Sequence, residues 1–216
     1  PCTVSLQMTA NSASVAGPRR VGRRIRLVDE GDRHALMVEG VIVSVSVPDG
    51  RPPSGYWAVM LPRRAPRSAL LLGLAGGTLA HLLNARFPGI ELVGVDSDAE
   101  VVEFARAHFG LNLPNLEIVI GDAFGYVALC ERSFDYIAVD LFKGYEFQRG
   151  VLSRPFLRRL AEIAGSEGEI VFDLFQDRRT ETYIGRISRV LGVYRIIEVG
   201  QNVIVRCRIP EYQSNA

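Results

Sequence analysis

The segment Ser68-Ala-Leu-Leu-Leu-Gly73-Leu-Ala-Gly-Gly77 joins a short apolar run to a glycine-rich turn. A continuous apolar run of this kind is typical of a strand that is buried on both faces of a parallel sheet. The residues that follow, from Thr78 to Phe87, have helical spacing and end before Pro88-Gly89. The segment therefore predicts a strand, a turn and a helix, which together are the first unit of an α/β fold.

Four further apolar runs each end at an aspartate. They are Glu91-Leu-Val-Gly-Val-Asp96, Ile118-Val-Ile-Gly-Asp122, Tyr136-Ile-Ala-Val-Asp140 and Glu169-Ile-Val-Phe-Asp173. Open α/β sheets bind ligands in the crevice beyond the carboxyl ends of their strands. We therefore expect the four carboxylates to gather at one edge of the sheet, around one ligand.

Helical segments separate these runs and predict a doubly wound, Rossmann-like parallel sheet. One helix starts at the cap-like Asp98 and ends at Gly110. Two more are predicted near Pro155–Ala164 and Arg178–Leu191. At the end of the chain, two apolar runs flank the turn Gly200-Gln201-Asn202, which predicts an antiparallel hairpin that closes the sheet.

The first part of the chain has a different pattern. Apolar residues alternate with small or polar ones from Ile25 to Val47, with turn signals at Gly31-Asp32 and Asp49-Gly50, which predicts a small antiparallel β unit. Pro62–Pro66 is the predicted linker to the core. The predicted divisions are a loose basic arm (1–20), the β unit (21–61), the Rossmann-like domain (67–209) and a tail (210–216).

Composition narrows the class of protein. With 216 residues, 48% of them hydrophobic, the chain is long enough for one good core. No apolar stretch approaches the roughly 20 residues of a membrane helix, so we expect no membrane contact and a cytoplasmic location. The three cysteines are too few and too widely spaced to indicate a disulfide framework or a zinc site.

Charge is distributed unevenly along the chain. Residues 1–67 hold ten arginines and five acidic residues, although the net charge is only +1. A basic cluster of this kind is one way to contact a nucleic-acid backbone. Because Lys143 is the only lysine, a coding bias toward arginine explains much of the cluster. Nucleic acid is therefore not the expected partner.

The residues around the glycine-rich turn indicate an adenosyl ligand without phosphates. The turn lacks the full G-x-G-x-x-G pattern of dinucleotide sites, because Ala75 stands two residues after Gly73. Asp96, at the end of the next strand, is placed to accept hydrogen bonds from both hydroxyls of a ribose. Asp122 is placed to accept from an adenine amino group while Ala123-Phe124 covers the ring.

A purely structural interpretation remains open for single positions. Strand-ending aspartates often cap helices, and Gly76 and Gly77 serve a tight turn as well as a ligand. His34, His81 and His108 lie away from the predicted strand ends, so nothing indicates a Ser-His-Asp or Cys-His nucleophile. Hydrolase chemistry is therefore not expected.

Residues 68–143 resemble the S-adenosylmethionine-binding core of the class I methyltransferase superfamily, and in particular that of spermidine synthases. The resemblance rests on Leu71-Leu-Gly-Leu-Ala-Gly-Gly-Thr-Leu, Val95-Asp-Ser-Asp-Ala-Glu-Val-Val and Gly121-Asp-Ala-Phe-Gly-Tyr, which are similar to the glycine, ribose and adenine motifs. It implies a sheet of the class I methyltransferase type that follows a small N-terminal β-hairpin unit. It also implies a second copy of the chain as a partner, in a homodimer formed through that unit. The cofactor-binding residues that it implies are Gly73, Ala75, Gly76, Gly77, Asp96, Ser97, Asp122 and Ala123.

The resemblance also implies a catalytic group, because the family's catalytic aspartate falls on Asp140. Transfer from a sulfonium is an in-line displacement, so the protein must position the acceptor and remove its proton. Asp140 is the expected base or acceptor-orienting group, and Lys143 and Tyr145 follow it closely enough to assist. Tyr56, in the segment similar to the family's hairpin domain, and Asp173 are the expected substrate-binding residues.

Three departures from the spermidine synthase pattern affect the choice of reaction. Ala75 replaces an acid that helps to hold the aminopropyl amine of decarboxylated S-adenosylmethionine, and Lys143 replaces the second acid of Asp-x-x-Asp. Trp57-Ala58 stands where the family has His-Glu. We therefore expect methyl transfer from S-adenosylmethionine to a small-molecule acceptor. Aminopropyl transfer from decarboxylated S-adenosylmethionine is the near alternative, and a non-catalytic adenosyl-binding or interaction protein is a third.

A metal ion is not part of the expected site. Asp140, Lys143 and Asp173 resemble the catalytic region of catechol O-methyltransferase, in which such groups bind magnesium and supply the base. The Asn expected as the third ligand is Leu174 here. The sequence therefore gives no support for metal dependence.

Overall fold

The computed structural model describes residues 5–6, 19–21, 24–30, 32–48, 50–53, 55–143 and 146–209. Its strands are β1 (Ser5–Leu6), β2 (Arg19–Val21), β3 (Ile25–Glu30), β4 (Arg33–Val38), β5 (Val41–Val45), β6 (Ser68–Leu72), β7 (Glu91–Asp96), β8 (Leu116–Ile120), β9 (Tyr136–Val139), β10 (Phe142–Lys143), β11 (Glu146–Phe147), β12 (Glu169–Phe175), β13 (Gly192–Val199) and β14 (Asn202–Arg208). Its helices are α1 (Tyr56–Met60), α2 (Thr78–Arg86), α3 (Ala99–His108), α4 (Ala123–Leu129), α5 (Arg154–Ile163) and α6 (Thr180–Ser188), with a 3-10 helix at Arg149–Leu152.

Eight strands form the central sheet, in the order β1-β13-β14-β12-β9-β6-β7-β8. The strands from β12 to β8 are parallel, whereas β14 is antiparallel to both of its neighbours. The strand order reverses between β6 and β9, which is the switch point where open α/β sheets bind ligands. The expected doubly wound, Rossmann-like sheet is therefore confirmed.

The predicted C-terminal hairpin is also present. β13 and β14 are antiparallel, with Val199 opposite Asn202. The later strand, β14, lies between β12 and β13 rather than at the edge of the sheet. Its pairing with β12 places Asn202 opposite Phe175. The hairpin turn therefore lies next to the carboxyl end of β12.

Helices cover both faces of the central sheet. Leu70 and Leu72 of β6 pack in a core cluster with residues of α4, α5 and α6, whereas Ala69 and Leu71 pack in a second cluster with residues of α1, α2 and α3. Successive side chains of a strand point to opposite faces. The continuous apolar run of β6 therefore fills both layers, as a buried parallel strand requires.

A second sheet precedes the core. Strands β2 to β5 are antiparallel in the order β2-β3-β4-β5, in agreement with the expected β unit. Its first strand begins at Arg19, within the segment expected as a loose arm. The remaining parts of that segment, apart from 5–6, and the tail at 210–216 lie outside the described residues. The domain boundaries therefore stay proposals.

Two local elements differ from the sequence-based expectation. The end of the predicted β unit is the short helix α1, and α4 follows Asp122 without having been predicted. The predicted helices near Pro155–Ala164 and Arg178–Leu191 are present as α5 and the shorter α6. None of the helices in the described part of the chain has the length and apolar character needed to cross a membrane.

Candidate active site

A cavity of about 800 Å³ lies at the carboxyl ends of the parallel strands. The four aspartates that follow the apolar runs, Asp96, Asp122, Asp140 and Asp173, all line it. Asp173 does not end its strand, because β12 continues to Phe175 through its pairing with β14. Residues 37–43 of the β4–β5 hairpin form another part of its wall. The structure therefore brings the four carboxylates to one site between the two sheets, as the sequence predicts.

The glycine-rich turn after β6 contributes Gly73 and Ala75 to the cavity. Gly73 has a φ of +91°, and a Cβ at this position would lie 2.0 Å from the carbonyl oxygen of Asp140. Ala75 has a φ of +45°, which is uncommon for a residue with a side chain. Its N–H donates to Oδ2 of Asp96 at 2.7 Å. Contacts with the ends of β7 and β9 therefore shape this turn.

Gly76 and Gly77 do not line the cavity, and their expected contact with a ligand stays a prediction. A Cβ at Gly76 would lie 2.6 Å from the Cβ of Ser44, whose Oγ accepts a hydrogen bond from the Gly76 N–H at 2.8 Å. A Cβ at Gly77, where φ is +80°, would lie 2.2 Å from Cδ1 of Leu111. The close approach at both glycines is therefore to protein, and at Gly76 it joins β5 to the turn.

Two further contacts hold the N-terminal sheet beside the cavity. The Thr78 hydroxyl donates to the carbonyl of Val45 and accepts from its N–H, both at 2.8 Å. The Arg24 guanidinium forms ion pairs with Asp98 and Glu100, each at 2.6 Å. The hairpin wall of the cavity is therefore fastened to the glycine-rich turn and to the start of α3.

Asp96, the predicted ribose-binding residue, lines the cavity, and backbone N–H groups hold both of its carboxylate oxygens. Its Oδ2 accepts from the N–H of Ala75 at 2.7 Å, and its Oδ1 accepts from the N–H of Asp98 at 2.9 Å. Burial raises the pKa of Asp96, and these backbone hydrogen bonds oppose the rise. Each carboxylate oxygen keeps acceptor capacity for a hydroxyl group. Ser97, the next residue, also lines the cavity.

Replacing Asp96 with Ala should weaken the binding of an adenosyl donor by roughly 1–3 kcal/mol, because the ribose hydroxyls lose a buried acceptor. Calorimetric titration measures this change. Asp135→Ala is a matched control, since Asp135 also accepts from a backbone N–H, that of Arg67 at 2.7 Å, but lies before β9 at the opposite edge of the sheet. Wild-type donor affinity in Asp96→Ala would remove this residue from the site.

Asp122 combines a structural contact with a place in the cavity. Its Oδ2 accepts from the N–H of Gly125 at 2.7 Å and so caps α4, which is the structural role left open by the sequence. Ala123 and Phe124 line the cavity beside it. The Phe124 ring packs on Phe156, with ring centroids 4.8 Å apart. An apolar wall next to a carboxylate is suited to a purine ring that carries an amino group.

Asp140 lies at the end of β9 and accepts a hydrogen bond on Oδ2 from the Tyr56 hydroxyl at 2.9 Å. Burial raises the pKa of Asp140 to about 6; the hydrogen bond from Tyr56 opposes this rise, and the negative charge of Asp96 adds to it. A pKa close to neutral is suited to a group that takes a proton from a substrate. The structure therefore brings together Tyr56 and Asp140, two of the predicted site residues.

Asp173 is only 1% exposed, and both of its carboxylate oxygens accept from Nδ2 of Asn202, at 2.8 and 3.0 Å. Burial raises its pKa, and the negative charge of Asp140 raises it further. Among the residues that the structure describes, no arginine or histidine forms an ion pair with Asp140 or Asp173. A buried carboxylate and a partly buried one in the same cavity are therefore suited to a cationic ligand.

Other cavity residues were not expected. The sequence places Asn202 only in a turn, and its contact with Asp173 depends on the position of β14 in the sheet. Phe142 and Phe175, whose ring centroids are 6.4 Å apart, line the cavity. The place of Phe175 in the cavity was predictable from the sequence. It lies two residues after Asp173, and residues two apart on a strand share a face.

Two predicted catalytic residues follow Asp140. Lys143 lies in β10, and Tyr145 lies outside the described residues. The roles expected for these two residues therefore stay predictions.

The sequence pattern of the spermine/spermidine synthase domain matches residues 26–214. The chain belongs to this family. A polyamine aminopropyltransferase from Chromobacterium violaceum is 30% identical to it over 137 residues, which are 62% of this chain and 52% of that protein. The chain thus spans about half the length of the curated relatives that it matches.

Solved structures share the fold of this spermine/spermidine synthase domain. A probable spermidine synthase from Corynebacterium glutamicum matches with a TM-score of 0.75 at 17% identity, covering 94% of this chain and 84% of the other. Human methyltransferase-like protein 13, in complex with SAH, matches with a TM-score of 0.61 at 23% identity, covering 74% of this chain and 82% of the other. At these identities the likeness shows the fold alone, which is of the class I methyltransferase type.

Proposed function

We propose that the chain transfers an aminopropyl group from decarboxylated S-adenosylmethionine to a small amine. The observation that carries this proposal is the pair of cavity carboxylates, Asp140 and Asp173, which have no ion-pair partner among the described arginine and histidine side chains. A cationic amine is the acceptor that such a pair attracts. Membership of the family and relatives named polyamine aminopropyltransferase support the same reaction.

These comparisons favour the aminopropyl alternative over the methyl transfer that we first expected. The expectation depended on Ala75 and Lys143, which replace acids of the spermidine synthase pattern, and on Trp57-Ala58, which stands where the family has His-Glu. Asp173 offers a physical reason why the replacement at Ala75 is compatible with amine binding. It is a buried carboxylate of the same cavity, and it remains available to the ammonium group of the donor or of the acceptor.

In the proposed reaction, Asp96 and Asp122 hold the adenosyl part of the donor, and Asp140 faces the reacting amine. A bond forms between the amine nitrogen and the first carbon of the aminopropyl group as the bond from that carbon to sulfur breaks. The electron pair of the broken bond returns to sulfur, which becomes a neutral thioether. Asp140 takes the surplus proton of the nitrogen, while the Tyr56 hydroxyl holds the carboxylate in place.

The test is an assay of purified protein with S-adenosylmethionine and its decarboxylated form, each offered with a panel of diamines and monoamines. Mass spectrometry should find an amine that has gained an aminopropyl group, only with the decarboxylated donor. The Asp140→Asn variant is the control for background reaction. A methylated acceptor formed from S-adenosylmethionine would instead establish methyl transfer, and donor binding without any product would support the non-catalytic alternative.

Methyl transfer remains the second candidate, because Ala75 leaves the glycine-rich turn without the acid that binds an aminopropyl amine in the family pattern. Calorimetric titration with the two donors separates the candidates before any acceptor is known. Tighter binding of the carboxylated donor would favour methyl transfer. The homodimer through the N-terminal β unit and the cytoplasmic location stay predictions.

A further inference from the structure

Arg206 of β14 is a buried arginine. It lies far along the chain from the site residues that the core motifs predict. Its side chain is 3% exposed, and its guanidinium pairs with Glu169 of β12 at 2.6 Å. The Nε–H of Arg206 also donates to the same Glu169 oxygen at 2.8 Å and to the Tyr194 hydroxyl at 3.2 Å. Withdrawing an arginine from water has an energetic cost that a single carboxylate only partly offsets. The remaining donors of the guanidinium therefore need partners.

Those partners are backbone carbonyls of the last turn of α1 and of Leu61, the residue that follows the helix. Nη1 of Arg206 donates to the carbonyl of Val59 at 2.7 Å, and both terminal nitrogens donate to the carbonyl of Leu61 at 3.1 Å. The carbonyl between them, that of Met60, accepts from the Tyr136 hydroxyl. Carbonyls at the end of a helix have no partner within the helix, and a cation there is favourable. Arg206 and Tyr136 therefore cap the end of α1 from the central sheet.

Helix α1 depends on such contacts because it has only five residues and no side-chain cap at its start. A helix of this length is not stable alone. Tyr56, its first residue, donates to Asp140, and Trp57 beside it is buried. Any movement of the helix therefore changes the hydrogen bond between Tyr56 and Asp140.

We propose that Arg206 is a positioning residue, which holds Tyr56 against Asp140 by capping α1. The inference rests on the proposed function in one respect, since it takes Asp140 as the carboxylate that receives the proton. Arg206 does not line the cavity, so it acts only through the helix. Among the side chains that the structure describes, the titratable groups around Asp140 are Tyr56, Asp96 and Asp173, and those around Arg206 are Glu169, Tyr136 and Tyr194.

The main test variant is the double substitution Arg206→Met with Glu169→Gln, which removes the cap without leaving the partly buried Glu169 carboxylate unpaired. The hydrogen bond from Tyr56 lowers the pKa of Asp140, so its loss should raise that pKa by roughly one unit. Carbon-13 NMR titration of the Asp140 carboxyl measures this value without any turnover. If the proposed function holds, the acid limb of the kcat/KM profile should move by the same amount.

Three comparisons separate positioning from a general loss of stability. Tyr56→Phe should raise the pKa of Asp140 equally, and adding the Arg206 substitution to Tyr56→Phe should raise it no further. Arg208→Met is the matched control, because Arg208 is exposed on the same strand and stacks on Tyr194 at 4.6 Å. It should leave the pKa unchanged.

The conservative variant Arg206→Lys serves if the double variant does not fold. A lysine keeps the charge but not the planar fork that reaches both Val59 and Leu61, so the pKa of Asp140 should rise by a smaller amount. A pKa of Asp140 at the wild-type value in every folded Arg206 variant would overturn the proposal. If the wild type shows no turnover but the pKa of Asp140 still rises in the Arg206 variants, the positioning role is supported and the proposed function is rejected.

Discussion

Replacing Asp140 with Asn should reduce turnover by roughly 10²–10⁴-fold, the usual contribution of a positioned base, and leave donor affinity nearly unchanged. Asn keeps the shape of the side chain and still accepts from the Tyr56 hydroxyl, but it does not take a proton from an amine. Rates of product formation and calorimetric titration measure the two effects. Asp135→Asn, at the opposite edge of the sheet, is the control and should retain full turnover. Unchanged turnover in Asp140→Asn would refute the role assigned to this carboxylate.

The pH dependence of the wild type should report the same group. Asp140 has a pKa of about 6, so below that pH it carries a proton and is not available as a base. Activity should therefore fall as the pH falls through about 6. The residual activity of Asp140→Asn should lack this acid limb, because the variant has no group that titrates at this position.

Asp140→Asn should also stabilise the fold above this range. The folded-state pKa of about 6 lies above the ordinary 3.8, so the folded protein binds more protons than the unfolded chain between these values. The wild type therefore loses stability as the pH rises through this window. The variant should gain roughly 1–3 kcal/mol in free energy of unfolding near neutral pH, and much less below the window. Denaturant unfolding at the two pH values measures the difference.

The shared position of the aspartates that follow the apolar runs was predictable because two simple rules coincide at them. Buried parallel strands have continuous apolar sequences, and their carboxyl ends share one edge of the sheet. Asp96, Asp140 and Asp173 therefore came to one cavity without any information on side-chain contacts. The pattern did not predict how the pKa values of these aspartates differ, because a pKa depends on burial and on the partners that surround each group.

The short elements around the site were not predictable in the same way. Helix α1 has only five residues, too few for the helical period to appear, and its end is held by Arg206 and Tyr136, which are far away in the sequence. Asn202 reaches Asp173 only because β14 lies beside β12. Contacts of this kind are set by tertiary structure, so a local sequence pattern contains no signal for them.

The glycine-rich turn shows that one motif has more than one structural cause. Gly76 was expected to admit a ligand, but the atoms that a side chain there would meet belong to Ser44 of the N-terminal sheet. The motif therefore encodes the docking of β5 as well as the shape of the site. Gly73, by contrast, lies in the cavity wall and against the backbone of Asp140.

Replacing Gly73 with Ala should lower the free energy of unfolding by roughly 3–5 kcal/mol, the range of severe backbone and packing conflicts. The new Cβ would lie 2.0 Å from the carbonyl oxygen of Asp140, which is a backbone atom and cannot turn away as the end of a flexible side chain could. The φ of +91° at Gly73 adds strain. The end of β9 must then move, so donor affinity and turnover should fall together. Urea unfolding measures the stability.

Gly89→Ala is the control that separates the close contact of the new Cβ from the strain of a positive φ. Gly89 has a nearly equal φ of +86°, but nothing lies within 4 Å of a Cβ built on it. Its substitution should therefore lower the free energy of unfolding only by the cost of a positive φ for a residue with a Cβ, about 1–2 kcal/mol. The excess cost at Gly73 then measures how firmly the end of β9 is held against the turn. Equal costs at the two glycines would mean that the turn relaxes freely away from Asp140, and the position of this carboxylate would then depend on Tyr56 and α1 instead.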